Sequence, residues 1–266
     1  MRAFFTSPDV ASLVGDATKV IVGFSGGLDS TVLLHALGDV LGRSRCRAAH
    51  INHGLHPEAD SWEKHCRDFA KSLGVDYVTE TLELSGGNAG GNVERVARQA
   101  RYEALNRLAG PHDLVATAHH RDDVTETHLW QLFTGRAVVG ISAIRMLLPS
   151  DGGRDGTRLV RPLLDLPRSV LSAYATAYGL AWIEDTSNLD TRFDRNWLRH
   201  VLLPQIAVRF PRAAEHIAYP RRVTEQTDVH PAGGTLPVAA LESASDGGYD
   251  NVRRWLWAHH LVPSDG

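Results

Sequence analysis

The sequence predicts an α/β fold: a doubly wound, mostly parallel sheet with helices on both faces, plus a small helical C-terminal remnant. Three observations predict it. Strand-like and helix-like segments alternate four times between residues 19 and 133, the order of a parallel sheet with crossover helices. A glycine-bearing turn joins the first strand to the first helix. The residues suited to chemistry follow predicted strands, where open α/β sheets hold ligands.

Residues 19–24 (KVIVGF) form a short apolar run rich in β-branched side chains, which reads as a buried strand. Residues 25–29 are the turn, and 30–41 carry apolar residues at helical spacing. Residues 46–51, 75–82 and 113–118 read as further strands, and 58–73, 93–108 and 122–133 as helices. The glycine-rich stretch 85–91 reads as a loop, and the polar stretch 150–158 as a surface hairpin or loop. Beyond them come a helix over 166–178 opened by Pro167, a short strand at 181–183, and a basic helix over 195–210 interrupted by Pro204. Periodicity fades after residue 218 and returns as a last helix over 251–260. This organisation predicts a catalytic domain at 1–216 and a linker with a shortened helical domain at 217–266.

Composition narrows the class. The 266 residues are 43% hydrophobic and 22% charged, with a formal net charge of −3. These values suit a globular protein rather than a general nucleic-acid coat. The two cysteines, Cys46 and Cys66, form no CxxC pair. That argues against a cluster or a disulfide framework and for a reducing, cytoplasmic setting. No apolar run reaches membrane-span length, and the N-terminus lacks a signal-peptide pattern.

The run SGGLDS at 25–30 is a coherent anion site. Gly26 and Gly27 let backbone N–H groups approach a phosphate, and the helix that follows adds unpaired amides and a positive dipole end. Ser25 and Ser30 can donate hydroxyls. Asp29 would repel phosphate unless a divalent cation bridged them, which points to Mg²⁺. Neither GxxxxGK[ST] nor GxGxxG is present.

A second constellation is ATAHHRDDVTET at 116–127. Asp122, Asp123 and Glu126 crowd a helix N-terminus, where negative charge is tolerated. Asp123 and Glu126, three apart, share a helix face. Such a pair could hold Mg²⁺ or an amine, or be solvated acids on a capped helix. His119 and His120 are candidates for touching nucleotide phosphate. A metal hydrolase built on His119, His120, Asp122 and Asp123 is a further reading.

The loop resembles that of the ATP pyrophosphatases, which cleave ATP to AMP and pyrophosphate. Further blocks sharpen the resemblance: HINHGLHPEAD at 50–60, VERVARQARYEAL at 93–105, RPLL at 161–164, and WIEDTSNLDTRFDRNWLRHVLLP at 182–204. Together and in order they resemble the tRNA(Ile) lysidine synthetases. The resemblance implies ligation of L-lysine to C2 of the wobble cytidine of tRNA(Ile) with a CAU anticodon. ATP first adenylates that cytidine, and the lysine amine then expels AMP. It implies that Ser25, Gly26, Gly27, Leu28, Asp29 and Ser30 bind ATP, with Asp29 on Mg²⁺. It also implies that Asp123 and Glu126 hold lysine, that Arg101 and His119 lie near the nucleotide, and that Asn196 and Arg199 meet tRNA. A homodimer is compatible with it.

The chain departs from the family pattern at Val124, where many members carry Gln, and in its short C-terminal region. Two rivals stand: a related tRNA thiolase, disfavoured by the missing cysteine pairs, and a non-catalytic RNA-binding remnant.

Overall fold

In the computed structural model the described residues are 14, 17–52, 54, 56–82, 93–135, 147–149 and 158–219. The chain divides into two units, Met1–Pro220 and Arg221–Gly266, and every described residue belongs to the first. The loop at 85–91, His53 and the expected helix over 251–260 lie outside the described residues.

The elements run β1 (Val20–Gly23), α1 (Leu28–Leu41), β2 (Cys46–Asn52), α2 (Ala59–Leu73), β3 (Asp76–Thr81), α3 (Val93–Leu108), β4 (Leu114–Ala116), α4 (Arg121–Phe133), β5 (Leu147–Pro149), β6 (Arg158–Val160) and α5 (Arg168–Ala177). Then come a 3₁₀ turn (Thr186–Leu189), α6 (Asp194–Trp197), a π-helical stretch (Leu198–Leu202), α7 (Leu203–Arg209) and α8 (Ala213–Ala218). The six strands are ordered β3-β2-β1-β4-β6-β5. All neighbours pair in parallel except β5 with β6.

Strand alternation builds the two faces. Ile21, Ala49, Val115 and Leu159 point to one face and pack with Leu105 of α3, flanked by Tyr102 and Leu108. A Cβ on Gly23 would stand 3.3 Å from Leu105 Cδ1, so α3 seats closely on β1. Val20, Val22 and Ala48 alternate to the opposite face, towards α1 and α2. Ile21, Leu33, Leu34 and Leu37 are wholly buried, each contributing roughly 1.5–3 kcal/mol of hydrophobic stabilisation. Helix α2 stops where Gly74 takes φ +69° and Val75 N–H donates to Ala70 O at 3.0 Å. That is the left-handed closure for which glycine is suited.

Two details differ from the sequence reading. Residues 181–183 make only a single parallel bridge, Ile183 to Gly27, rather than a strand. The basic helix is not simply broken at Pro204. Its register loosens beforehand, where Leu203 N–H donates to Leu198 O, five residues back, because proline has no N–H to continue the ordinary ladder. Strands β5 and β6, three residues each, pair antiparallel on either side of 150–157, in agreement with the hairpin reading of that stretch, though the sequence does not delimit them.

The chain fills one side of the sheet from β1 through β3, then crosses to place β4 beside β1 on the other. The carboxyl ends of β1 and β4 are therefore the switch point, where a crevice for ligands opens.

Candidate active site

The loop after β1 is held from inside. Gly26 has φ +82°, and a Cβ there would stand 2.6 Å from Ile183 Cδ1 and 2.8 Å from Cys66 Sγ. Ile183 N–H donates to Gly26 O at 2.8 Å, and Thr31 Oγ1 donates to the same carbonyl at 3.3 Å. Ser30 Oγ gives its one proton to Gly27 O at 3.0 Å, so Ser25 Oγ, 3.1 Å away, is the donor between the two hydroxyls. The loop carbonyls are thus satisfied inward. Gly27 is the N-cap of α1 and brings no side-chain acceptor to its first-turn amides, which leaves them available to an anion. Leu28 is buried, so its contribution to a ligand is its backbone N–H.

Asp29, in the first turn of α1, faces His120 and Arg168, each 3.6 Å from its carboxylate. Its Oδ1 is buried without a hydrogen-bond partner, the state of an acceptor built for a ligand. Among the described residues no three His, Cys, Asp or Glu side chains are grouped to hold a metal. Mg²⁺ fits this site in the way it commonly binds, on one carboxylate with phosphate and water oxygens completing its shell.

The loop after β4 supplies the facing wall. His120 caps α4, is 1% exposed, and sets Nε2 3.6 Å from both Asp29 and Asp123. Its N–H also donates to Asp123 Oδ2 at 2.9 Å. Burial opposes its positive charge, but the Asp29 hydrogen bond and the charges of Asp123, Asp29 and Asp122 outweigh burial, so its pKa is raised. Of the two adjacent histidines, His120 is the one that joins the two loops.

His119 has the opposite character. Arg98 Nη2 donates to its Nε2 at 3.5 Å, which leaves the ring proton on Nδ1, facing Thr117 Oγ1 at 3.0 Å. Burial, with Arg98, Arg161 and Arg195 nearby, overrides Asp123 and pushes its pKa down to about 3. The folded state therefore refuses a proton that the unfolded chain accepts near 6.5. This group's stabilisation is complete above that value and is lost as pH falls towards 3. Between pH 6.5 and 5, wild-type stability is expected to fall by up to about 1.4 kcal/mol per pH unit more than that of His119→Gln. Urea denaturation of both proteins across that window measures the difference. The opposite contribution of His120 is common to both proteins and cancels.

Glu126 is wholly buried and forked by Arg199, whose Nε and Nη2 donate to Oε1 and Oε2 at 2.6 and 2.9 Å. Burial lifts the Glu126 pKa, and Arg199 pulls against that shift. Both oxygens are therefore occupied by an arginine from the π stretch. Asp123, 3.6 Å from Arg199 and 17% exposed, is the carboxylate that still faces the crevice. Asn196 donates to Ser187 O and Asp190 O at 2.9 and 3.0 Å, fastening the 3₁₀ turn. Arg101 is on the exposed side of α3, and Arg98, one turn earlier, is the arginine at His119. The structure therefore brings together Ser25, Ser30, Asp29, His119, His120, Asp123, Glu126 and Arg199, and adds Arg98 and Arg168.

A model described as the PP-loop domain matches residues 6–206. The chain belongs to the PP-loop family. Among curated proteins, this PP-loop chain is 40% identical over 270 residues to the tRNA(Ile)-lysidine synthase of Alkalilimnicola ehrlichii, covering 95% of this chain and 59% of the relative. It is 43% identical over 201 residues to that of Pseudomonas aeruginosa, covering 74% and 44%. The chain thus spans about half the length of the curated relatives it matches. Among solved structures, a U34-tRNA thiolase, NcsA, from Methanococcus maripaludis with its 4Fe-4S cluster aligns with TM-score 0.61 and 18% identity, over 79% of this chain and 74% of that one. That likeness concerns the fold.

Proposed function

We propose that this chain joins L-lysine to C2 of the wobble cytidine of a tRNA(Ile) with a CAU anticodon, consuming ATP and releasing AMP and pyrophosphate. The observation that carries the reading is the line Asp29–His120–Asp123, which sets a phosphate loop and an acidic helix head against each other at the switch point. The names of the curated relatives, tRNA(Ile)-lysidine synthases, support a tRNA(Ile) substrate and lysidine as the product.

In the first step the C2 carbonyl oxygen of the cytidine bonds to the α-phosphorus of ATP. The bond to the bridging oxygen breaks, and pyrophosphate leaves with its electron pair. Charge builds on the phosphates, so the first-turn amides of α1 act where it develops, while the Ser25 and Ser30 hydroxyls, bonded to each other and to Gly27 O, hold the loop that presents those amides. Bound at Asp29, Mg²⁺ would neutralise part of that charge. In the second step the lysine amine bonds to C2 and AMP departs with the electron pair of the C2–O bond. Asp123 holds the side-chain ammonium of lysine near that carbon and, as general base, takes the proton whose loss frees the attacking amine. Glu126 acts behind it, fixing Arg199 beside Asp123.

A thiolase would need accessible sulfur chemistry. Cys46 and Cys66 are both buried, with burial pushing their thiols up to about 11 and about 12. Pyrophosphate release is expected only when tRNA with a CAU anticodon is present, and AMP formation to completion only with lysine. Release of pyrophosphate without tRNA dependence would sink this reading.

A further inference from the structure

The loop at 25–30 carries no lysine or arginine, and Asp29 adds a negative charge to it. A polyphosphate seated there needs a cation from another element. Among the described residues three positive side chains interact with Asp29, and two are committed. His120 is almost wholly buried and shared with Asp123, and Arg199 is forked on Glu126. The third is Arg168, the first residue of α5, whose side chain is 44% exposed.

We propose that Arg168 binds the β- and γ-phosphates of ATP and retains them as the pyrophosphate leaving group, an inference that rests on the ATP reading above. Its position follows from the packing of α5 on α1, joined by the 2.9 Å bond between His35 Nδ1 and Tyr174 Oη. The backbone at Arg168 is anchored, since its N–H donates to Asp122 Oδ2 at 3.3 Å and Arg121 N–H donates to Leu166 O at 3.0 Å. The side chain is not anchored in the same way. Its Nε stands 3.6 Å from Asp29 Oδ1, beyond hydrogen-bond length, and the side chain is 44% exposed although that oxygen is buried, so the contact holds the guanidinium only loosely. A guanidinium so placed exchanges readily from one carboxylate to phosphate oxygens, which it can fork with stronger, charge-assisted bonds. As the bridging bond to the α-phosphorus breaks, the charge that reaches pyrophosphate grows next to this fork.

The test is calorimetric binding of ATP, AMP and inorganic pyrophosphate, with Mg²⁺, to the full chain and to Arg168→Ala and Arg168→Lys. For Arg168→Ala the expected result is about tenfold or greater weakening for ATP and pyrophosphate, with AMP affinity unchanged. Arg168→Lys should fall between, because a point charge replaces the fork. Unchanged ATP affinity in Arg168→Ala overturns the inference, as does an equal loss for ATP and AMP, which would mark a merely structural residue. Wild-type protein that binds neither ATP nor pyrophosphate overturns the ATP reading itself, and this inference with it.

Discussion

Asp29→Ala is expected to slow pyrophosphate release on the order of a thousandfold or more, because it removes the carboxylate proposed to bring a cation to the phosphates. The geometry makes the effect chemical rather than structural. Asp29 is 30% exposed on its side chain and stands 3.6 Å from His120 and from Arg168, so its share in stability runs through the buried His120 and is read separately by the folding control. Asp29→Asn keeps the shape and loses the charge, and is expected to be nearly as inactive. A single-turnover assay of pyrophosphate release, with urea midpoints as a folding control, reads both variants. Full activity in either one would remove Asp29 from the phosphate chemistry.

The largest effect on stability is expected at Arg199. Glu126 is 0% exposed, and Arg199 supplies both of its hydrogen bonds from a side chain that is itself 26% exposed. Arg199→Met leaves a buried carboxylate without its partner and is expected to destabilise the protein by about 3 kcal/mol. The reverse truncation, Glu126→Leu, is expected to cost less, since the released guanidinium can turn to water. The double variant should recover much of the single Arg199→Met loss, as apolar replacements of buried ion pairs commonly do. Shifts in urea midpoint across the three proteins test this order. Equal losses in both single variants would show that the pair contributes as an ordinary contact.

The parallel frame was legible because each β–α unit repeats the same signal: a β-branched run, a turn, then apolar residues at helical spacing. Strands β5 and β6 were legible only as the hairpin alternative for 150–158, since three residues carry no period and their place is set by β6 pairing with β4 and β5 with β6. The phosphate loop was legible because glycine and hydroxyl residues at a strand end have few other uses. Which neighbour faces inward was not. His119 and His120 differ by one residue, and only the start of α4 decides that His120 reaches Asp29 while His119 turns to Thr117 and Arg98. Arg98 and Arg101 are one helical turn apart, and the packing of α3 selects Arg98. Glu126 could be read as part of an acidic pair, but its occupation by Arg199 needed the π stretch, whose loosened ladder is a consequence of Pro204.

The central claim is that this site transfers lysine to a tRNA cytidine. Its most direct test is nucleoside mass analysis of a tRNA(Ile) CAU transcript after incubation with the protein, ATP, Mg²⁺ and isotopically labelled lysine. The account predicts one labelled nucleoside, a cytidine carrying lysine in place of its C2 oxygen, at the wobble position alone. ATP turnover that leaves this cytidine unmodified, or label on any other nucleoside, would contradict it.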